Sequence, residues 1–223
     1  MAKQYFRNLP DIDYVNRTKD GQFISNYTQV KNFFKRGKLR EDIFQDLTTF
    51  QKYDIKGDDR PDNVANEVYG DARLDWVVLL SNNIVNLNNE WPLTQRSFET
   101  YILDKYGSQE KLHEIHHYES NEVKDTQGVV LFPRGVKVSV AQSISYHEHM
   151  TDESKTVNPI SRAITNLQYE EDVNNKKRRI FLLKPMYLNV VYDDIEEMMT
   201  YKKGSTQYVS ETLKRADNAR LFT

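Results

Sequence analysis

The sequence predicts an α+β fold, because helical and strand-like patterns occupy different parts of the chain. Two short helical patterns follow one another between residues 61 and 80, separated by a glycine. Strand-like runs flank them, at residues 51–55 on one side and at residues 129–140 and 179–183 on the other. We therefore expect a small central βααβ module, an extended N-terminal arm before it, and a β-rich C-terminal region that ends in a helix.

Residues 1–50 are predicted to form the extended arm and a docking segment. The first part is polar with scattered aromatic side chains, among them Tyr5 and Phe6. These apolar side chains need a surface to dock on, and either the chain's own core or a partner provides it. The basic run at residues 35–40 fits a solvated face or a partner contact.

Residues 51–107 are predicted to form the central module and one further helix. Residues 51–55 alternate polar and apolar side chains, as a half-buried strand does. Pro61 suits the first position of a helix, because its missing N–H would have no partner there in any case. Gly70 is expected to end this helix, since glycine readily adopts the left-handed conformation found after a helix.

A second helix is expected directly after this corner. Asp71 can cap it, and the pattern continues to about residue 80. A returning strand near residues 84–87 would then complete the module. Thr94 is a plausible cap for a third helix that Gly107 closes.

Residues 108–223 are predicted to be β-rich. Strands are expected at residues 129–132 and 136–140, whereas residues 146–160 look like a loop. A buried strand is expected at residues 179–183.

The chain after this strand is predicted to contain one terminal helix. Asp193 or Asp194 is expected to cap it, and it runs to Met199. The polar tail after Gly204 is expected to be loose or ordered by a partner.

Composition narrows the possible functions. Lys and Arg total 31 against 33 Asp and Glu, which argues against a nucleic-acid partner bound by an overall basic face. The absence of cysteine excludes disulfides and thiolate metal sites. No apolar run is long enough for a membrane span, and the N-terminal residues lack a signal-peptide pattern. We expect a soluble protein without a cofactor.

One segment matches an enzyme motif. His113-Glu114-Ile115-His116-His117 fits the H-E-x-x-H pattern of zinc proteases, which needs both histidines on one helix and a third ligand, such as His147 or His149. No extended zincin signature follows it. A zinc enzyme is therefore a minor alternative. A glycosidase is another, although no carboxylate pair stands out. We expect no catalytic residue and no metal.

A set of residues between positions 53 and 82 carries a family resemblance. The residues that define it are Tyr53, Ile55, Gly57, Pro61, Ala65, Gly70, Asp71 and Asn82. They fit a pattern of Y-x-I-K-G-x-x-R-P, then A-x-x-x-Y-G, then a Leu/Trp-rich helix that ends in Asn. In this pattern the chain resembles the LysM-like baseplate wedge protein of contractile-tailed phages of the T-even type.

The resemblance implies a structural protein of the virion, assembled in the host cytoplasm and located in the tail baseplate. It implies that the protein clamps neighbouring wedges of a sixfold baseplate to one another. The implied partners are other wedge proteins, including the large inner-ring wedge protein and a small sheath-initiator-like protein, with neither nucleic acid nor membrane.

Aromatic and arginine side chains are the favoured anchors of protein interfaces. The candidates for partner contact are Arg60, Tyr69, Arg73, Trp76, Trp91, Tyr5, Phe6, Phe33 and Phe34. For Tyr69 and Trp76, a place in the module's own core is the alternative interpretation. The alternative function is that of a LysM-type module that binds peptidoglycan, where the groove between helix and loop holds a chain of sugars.

Overall fold

The structure, a computed structural model, describes residues 4–15, 27–148, 150–204 and 206–215. Helices and small sheets both occur within these ranges, which confirms the predicted α+β class. The chain divides into two compact units. The first unit joins residues 1–90 with residues 179–223, and the second unit comprises residues 91–178.

The elements are numbered in chain order. The strands are β1 (Asp11–Val15), β2 (Tyr27–Lys31), β3 (Phe50–Asp54), β4 (Ile115–Ser120), β5 (Val123–Lys124), β6 (Val130–Phe132), β7 (Ile144–Glu148), β8 (Glu153–Val157), β9 (Ser161–Thr165), β10 (Arg179–Leu183), β11 (Tyr208–Ser210) and β12 (Leu213–Arg215). The helices are α1 (Tyr5–Asn8), α2 (Glu41–Gln45), α3 (Pro61–Tyr69), α4 (Asp75–Ser81), α5 (Leu87–Glu90), α6 (Gln95–Tyr106), α7 (Gln109–Leu112), α8 (Asn166–Lys177) and α9 (Leu188–Met199).

The helix corner of the first unit agrees with the sequence prediction. Pro61 is the first residue of α3, and Gly70 follows the helix with a φ of 73°. The Asp71 side chain accepts a hydrogen bond from the N–H of Arg73 and so caps the next segment. That segment starts as a short 3-10 turn and continues as α4.

The predicted returning strand at residues 84–87 is wrong. Residues 84–86 have no regular structure, and α5 begins at Leu87. Strand β3 instead pairs antiparallel with β10, and α4 packs on β10. Strand β10 covers the core because its Leu182 and Leu183 side chains are fully buried, next to a run of inward-facing residues on α3, α4 and α9.

The described part of the predicted arm is folded onto the first unit. Strand β1 lies between β2, with which it pairs antiparallel, and β12, with which it pairs parallel. Leu9, just before β1, is buried. The described residues after Gly204 are not loose either, because β11 and β12 form an antiparallel pair beside β1.

The terminal helix begins earlier than predicted. Helix α9 starts at Leu188 rather than at Asp193 or Asp194, and it buries Val191, Ile195 and Met199. This four-residue spacing is one face of a helix, and it extends the pattern upstream of the acidic pair that was expected to be a cap.

The described residues of the second unit form three two-stranded sheets, β4–β9, β5–β6 and β7–β8, together with α6, α7 and α8. Thr94 caps α6 and Gly107 follows it with positive φ, as predicted. A small core forms around Phe98, Ile102 and Leu112.

Two predictions for the second unit are wrong, and one helix was missed. The expected loop at residues 146–160 contains most of β7 and all of β8. The expected strand at residues 136–140 is reduced to one bridge between Glu119 and Lys137. Helix α8 was not predicted, because its buried residues are polar. None of the described helices has the length and apolar content that a membrane span requires.

Candidate protein-interaction surface

An aromatic groove opens on the first unit between α1, the segment after β2, and α4. Its volume is about 700 Å³, within the range of pockets that enclose a ligand or the side chains of a partner. The apolar side chains that line it include Tyr5, Phe6, Phe33, Trp76, Leu79 and Val85. Five of the nine predicted contact residues, Tyr5, Phe6, Phe33, Arg73 and Trp76, therefore meet here, although they come from separate segments of the sequence.

Trp76 on α4 forms the floor of this aromatic groove. Only 7% of its surface is exposed, and its ring packs against Tyr5 at 5.7 Å and Tyr192 at 6.0 Å between centroids. Its buried indole N–H has no hydrogen-bond acceptor among the residues that the structure describes. The burial favours the core interpretation of Trp76, with one edge contributing to the groove.

Phe6 and Phe33 form the rim. They are 65% and 72% exposed, and their ring centroids lie 6.3 Å apart. Phe34 is 98% exposed and does not line the groove. Clustered exposed aromatic side chains are uncommon on a protein that works alone, and they mark surfaces that another molecule covers.

Tyr5 holds α1 against the core. Its hydroxyl oxygen accepts a hydrogen bond of 2.9 Å from the N–H of Gly37. A side chain at position 37 would collide with Ile195 of α9, so glycine lets this segment approach the helix closely. The Tyr5–Gly37 contact thereby fixes the position of Phe6, the neighbouring rim residue.

The charged residues of the lining are mainly cationic. Arg73 forms an ion pair of 2.9 Å with Asp71, and this contact lowers the pKa of the Asp71 carboxyl. Arg36 donates to the side-chain oxygen of Asn83 at 3.2 Å. Asp75 is the carboxylate of the lining, and its burial raises its pKa.

Lys35 lies in a locally positive environment. Its ammonium donates to the carbonyl of Thr200 at 2.7 Å and lies 4.8 Å from the centre of the Tyr201 ring. Burial, and then the charges of Lys214 and Lys202, lower the pKa of Lys35. The acceptor of the Lys35 ammonium is a neutral carbonyl oxygen, so this end of the groove favours an anionic group. Arg36, by contrast, lies close enough to the Glu90 carboxylate to interact with its charge.

The remaining predicted contact residues do not line the groove. Tyr69 is partly buried, and its hydroxyl donates to the carbonyl of Leu183 at 2.9 Å. Burial raises the pKa of Tyr69. Arg60 is exposed beside Asp62, at 3.3 Å. Trp91 belongs to the second unit and is buried. A role of these three in partner contact stays a prediction.

The residues that define the module have local structural roles. The Tyr53 hydroxyl donates to Glu67 at 2.7 Å and ties β3 to α3, and Lys56 pairs with the same carboxylate. Ile55 and Ala65 are buried, and the φ of 50° at Gly57 lies in the left-handed region that glycine adopts most readily.

The zinc-protease pattern lacks its required helix. Helix α7 ends at Leu112, and β4 begins two residues after His113, so the histidines of the pattern do not lie on one helical face. His116 instead stacks on Tyr169 with 4.1 Å between ring centroids. No group of three potential metal ligands occurs among the described residues, and His149 lies outside them.

Sequence reasoning did not identify Leu79 and Val85 as groove residues. Both are ordinary apolar residues of a helix and a loop, and nothing in their spacing separates them from core positions. Lys35 and Arg36 did carry a signal, the basic run, which was left open between a solvated face and a partner contact.

A comparison with models of known protein families finds a match for this chain. The family model described as base plate wedge protein 53 matches residues 5–142, which is more than half of the chain. The match includes the groove residues from Tyr5 to Val85 and ends before β10. No curated protein matches the chain.

Proposed function

Since the chain belongs to the base plate wedge protein 53 family, we propose that it joins adjacent wedges of a phage tail baseplate through protein–protein contacts. Its family gives it a structural role in the virion tail baseplate, in association with other baseplate proteins. The proposed part is how it works: it clamps wedges to one another through a central module and extended segments.

The observation that carries this proposal is the aromatic groove. Phe6 and Phe33 leave most of their rings exposed beside a pocket of about 700 Å³. Exposed aromatic surface costs free energy in an isolated protein, at about 25 cal/mol per Å² of apolar area. A subunit that is always assembled keeps such residues because a partner covers them.

We further propose that the module is LysM-like and that its second strand comes from a segment distant in the sequence. Strand β3, helices α3 and α4, and strand β10 supply the four elements of a βααβ unit. The proposed partners are the inner-ring wedge protein and a sheath-initiator-like protein, in a sixfold, contractile T-even-type tail assembled in the host cytoplasm. The proposed division of the chain is an arm to residue 50, a module with one further helix in residues 51–107 to which β10 contributes a strand, and a β-rich remainder.

Peptidoglycan binding is the rival function for such a module. Sugar chains need many hydrogen-bonding side chains, because each hydroxyl must exchange its bonds to water for bonds to protein. The groove lining is dominated by apolar and cationic side chains, with Gln4 as its amide. This composition favours a protein partner over a glycan.

Quantitative mass spectrometry of purified phage tails tests the proposal. We expect the chain in fixed proportion to the other wedge proteins, and tails made without it should lack joined wedges in electron micrographs. Normal baseplates without the protein would refute the clamping role. Retention of the pure protein on purified cell wall would favour the peptidoglycan alternative instead.

A further inference from the structure

We infer that the aromatic groove receives an extended segment of a neighbouring wedge protein, in which large apolar side chains stand beside aspartate or glutamate. This inference rests on the proposed clamping function and adds the chemistry of the bound segment. The groove lies wholly within the first unit, so it needs no assumption about the second unit.

The apolar part of the inference follows from the floor and rim. Trp76, Leu79 and Leu80 form a continuous apolar floor on α4, and Phe6 and Phe33 stand above it. Aromatic rings held in this way offer large contact areas with few rotatable bonds, which keeps the entropy cost of binding low. An occupant gains most from bulky side chains that pack beside the two rim rings and over the Trp76 floor.

The acidic part follows from the charge of the lining. Lys35 and Arg36 both line the groove, and burial together with the charges of Lys214 and Lys202 lowers the pKa of Lys35. Arg73 is already paired with Asp71. An anionic group that docks at the Lys35 edge relieves the repulsion among these ammonium groups and gains charge-assisted hydrogen bonds.

An extended segment fits better than a flat protein surface. The groove is concave, and its mouth is bordered by rings rather than by a broad plane. Inserted side chains reach a concave site when the backbone that carries them can follow it, as in peptide-recognition grooves. The combination of an apolar floor and a basic edge in one groove therefore points to a peptide with apolar and acidic residues as neighbours.

Short fluorescein-labelled synthetic peptides and the full-length protein provide the test. One peptide carries two large apolar residues flanked by Asp and Glu, and a second carries the same apolar residues flanked by Lys. Fluorescence anisotropy should show binding of the acidic peptide at least about tenfold tighter than that of the basic peptide. The difference should shrink as salt is raised, because salt screens the charges at this exposed edge.

Matched variants locate the binding site. Phe33→Ser should weaken binding of the acidic peptide at least about fivefold, a loss that only a minority of interface residues exceed when truncated. Phe34→Ser is the control, since Phe34 is the more exposed neighbour but does not line the groove. Arg36→Glu should weaken binding of the acidic peptide, whereas Lys52→Glu, on the exposed face of β3, should not. Thermal unfolding checks that each variant is folded.

Several outcomes would overturn the inference. Equal binding of the acidic and basic peptides, or equal effects of the Phe33 and Phe34 variants, would exclude an acidic segment in the groove. Self-association of the protein that Phe33→Ser abolishes would make a second copy the occupant. If the protein does not discriminate between the two peptides but is present in wedges, this inference is refuted and the proposed function stands. If the protein is absent from purified tails, the proposed function is refuted.

Discussion

Asn82 joins the end of α4 to β10 through its side-chain amide. The amide nitrogen donates to the carbonyl oxygens of Phe181 at 2.8 Å and Val78 at 2.9 Å, and the amide oxygen accepts from the N–H of Phe181 at 2.8 Å. Each bond is worth about 0.5–1.5 kcal/mol net. Water can replace part of them because Phe181 is partly exposed. We expect Asn82→Ala to lower the free energy of unfolding by about 2 kcal/mol.

Asn82→Asp keeps the accepting oxygen of this contact and removes the donating nitrogen. The carboxylate still accepts from the N–H of Phe181, but it faces two carbonyl oxygens to which the amide donated. This repulsion raises the pKa of the new carboxyl in the folded state above its unfolded value of about 3.9. The folded variant therefore binds a proton more readily than the unfolded one, so its stability relative to wild type is greatest in acid and falls as the pH rises.

Urea unfolding followed by far-ultraviolet circular dichroism measures both effects, with m-values compared to check that the same transition is observed. Asn88→Ala on the exposed helix α5 is the control and should change the free energy of unfolding by less than about 0.5 kcal/mol. If Asn82→Asp is as stable as wild type at neutral pH, or if its deficit does not narrow towards about pH 4, the bridge to β10 does not carry this energy.

Three further predictions concern backbone clearance and titration. Gly37→Ala places a Cβ against the fully buried Ile195, and the overpacking should lower the free energy of unfolding by about 1–3 kcal/mol. In the double variant with Ile195→Val, the free energy of unfolding should fall by less than the sum of the two single losses. Additive losses would show that the new Cβ does not collide with Ile195. Gly70→Val should cost about 1–3 kcal/mol in thermal unfolding because φ is 73°, and Gly70→Asn clearly less; equal costs would argue against strain at this corner. Partial desolvation and then the adjacent imidazole lower the pKa of His116. Because this side chain is solvent-exposed, only a small part of the stability is present above about pH 6.5 and lost below it. His116→Phe keeps a ring on Tyr169 and should flatten this pH dependence of unfolding; an unchanged slope would exclude His116 as its source.

Residues that start, stop and cap helices made the corner between α3 and α4 predictable. Pro61, Gly70 and Asp71 act on their own backbone and their nearest neighbours, so their effect can be read without knowing the rest of the fold. The same holds for Thr94 and Gly107 around α6.

Helix α8 shows why the second unit was harder to predict. Its buried residues are Asn166, Glu170 and Asn174, spaced at four residues along one face. Their polar groups are satisfied by partners distant in sequence, such as Lys105 and Tyr106 for Glu170. A search for apolar periodicity cannot detect a helix whose buried face is polar.

The sequence by itself determined the fold class, the corner between α3 and α4, and the residue types expected to bind a partner. The tertiary structure alone decided that β10 rather than residues 84–87 completes the module, and that Tyr5, Phe6, Phe33 and Trp76 meet in one groove. Caps and turns depend on bonds within a few residues, which the sequence shows directly. Strand pairing and groove formation depend on contacts between distant segments, and many pairings fit the same local pattern until the packed core selects one.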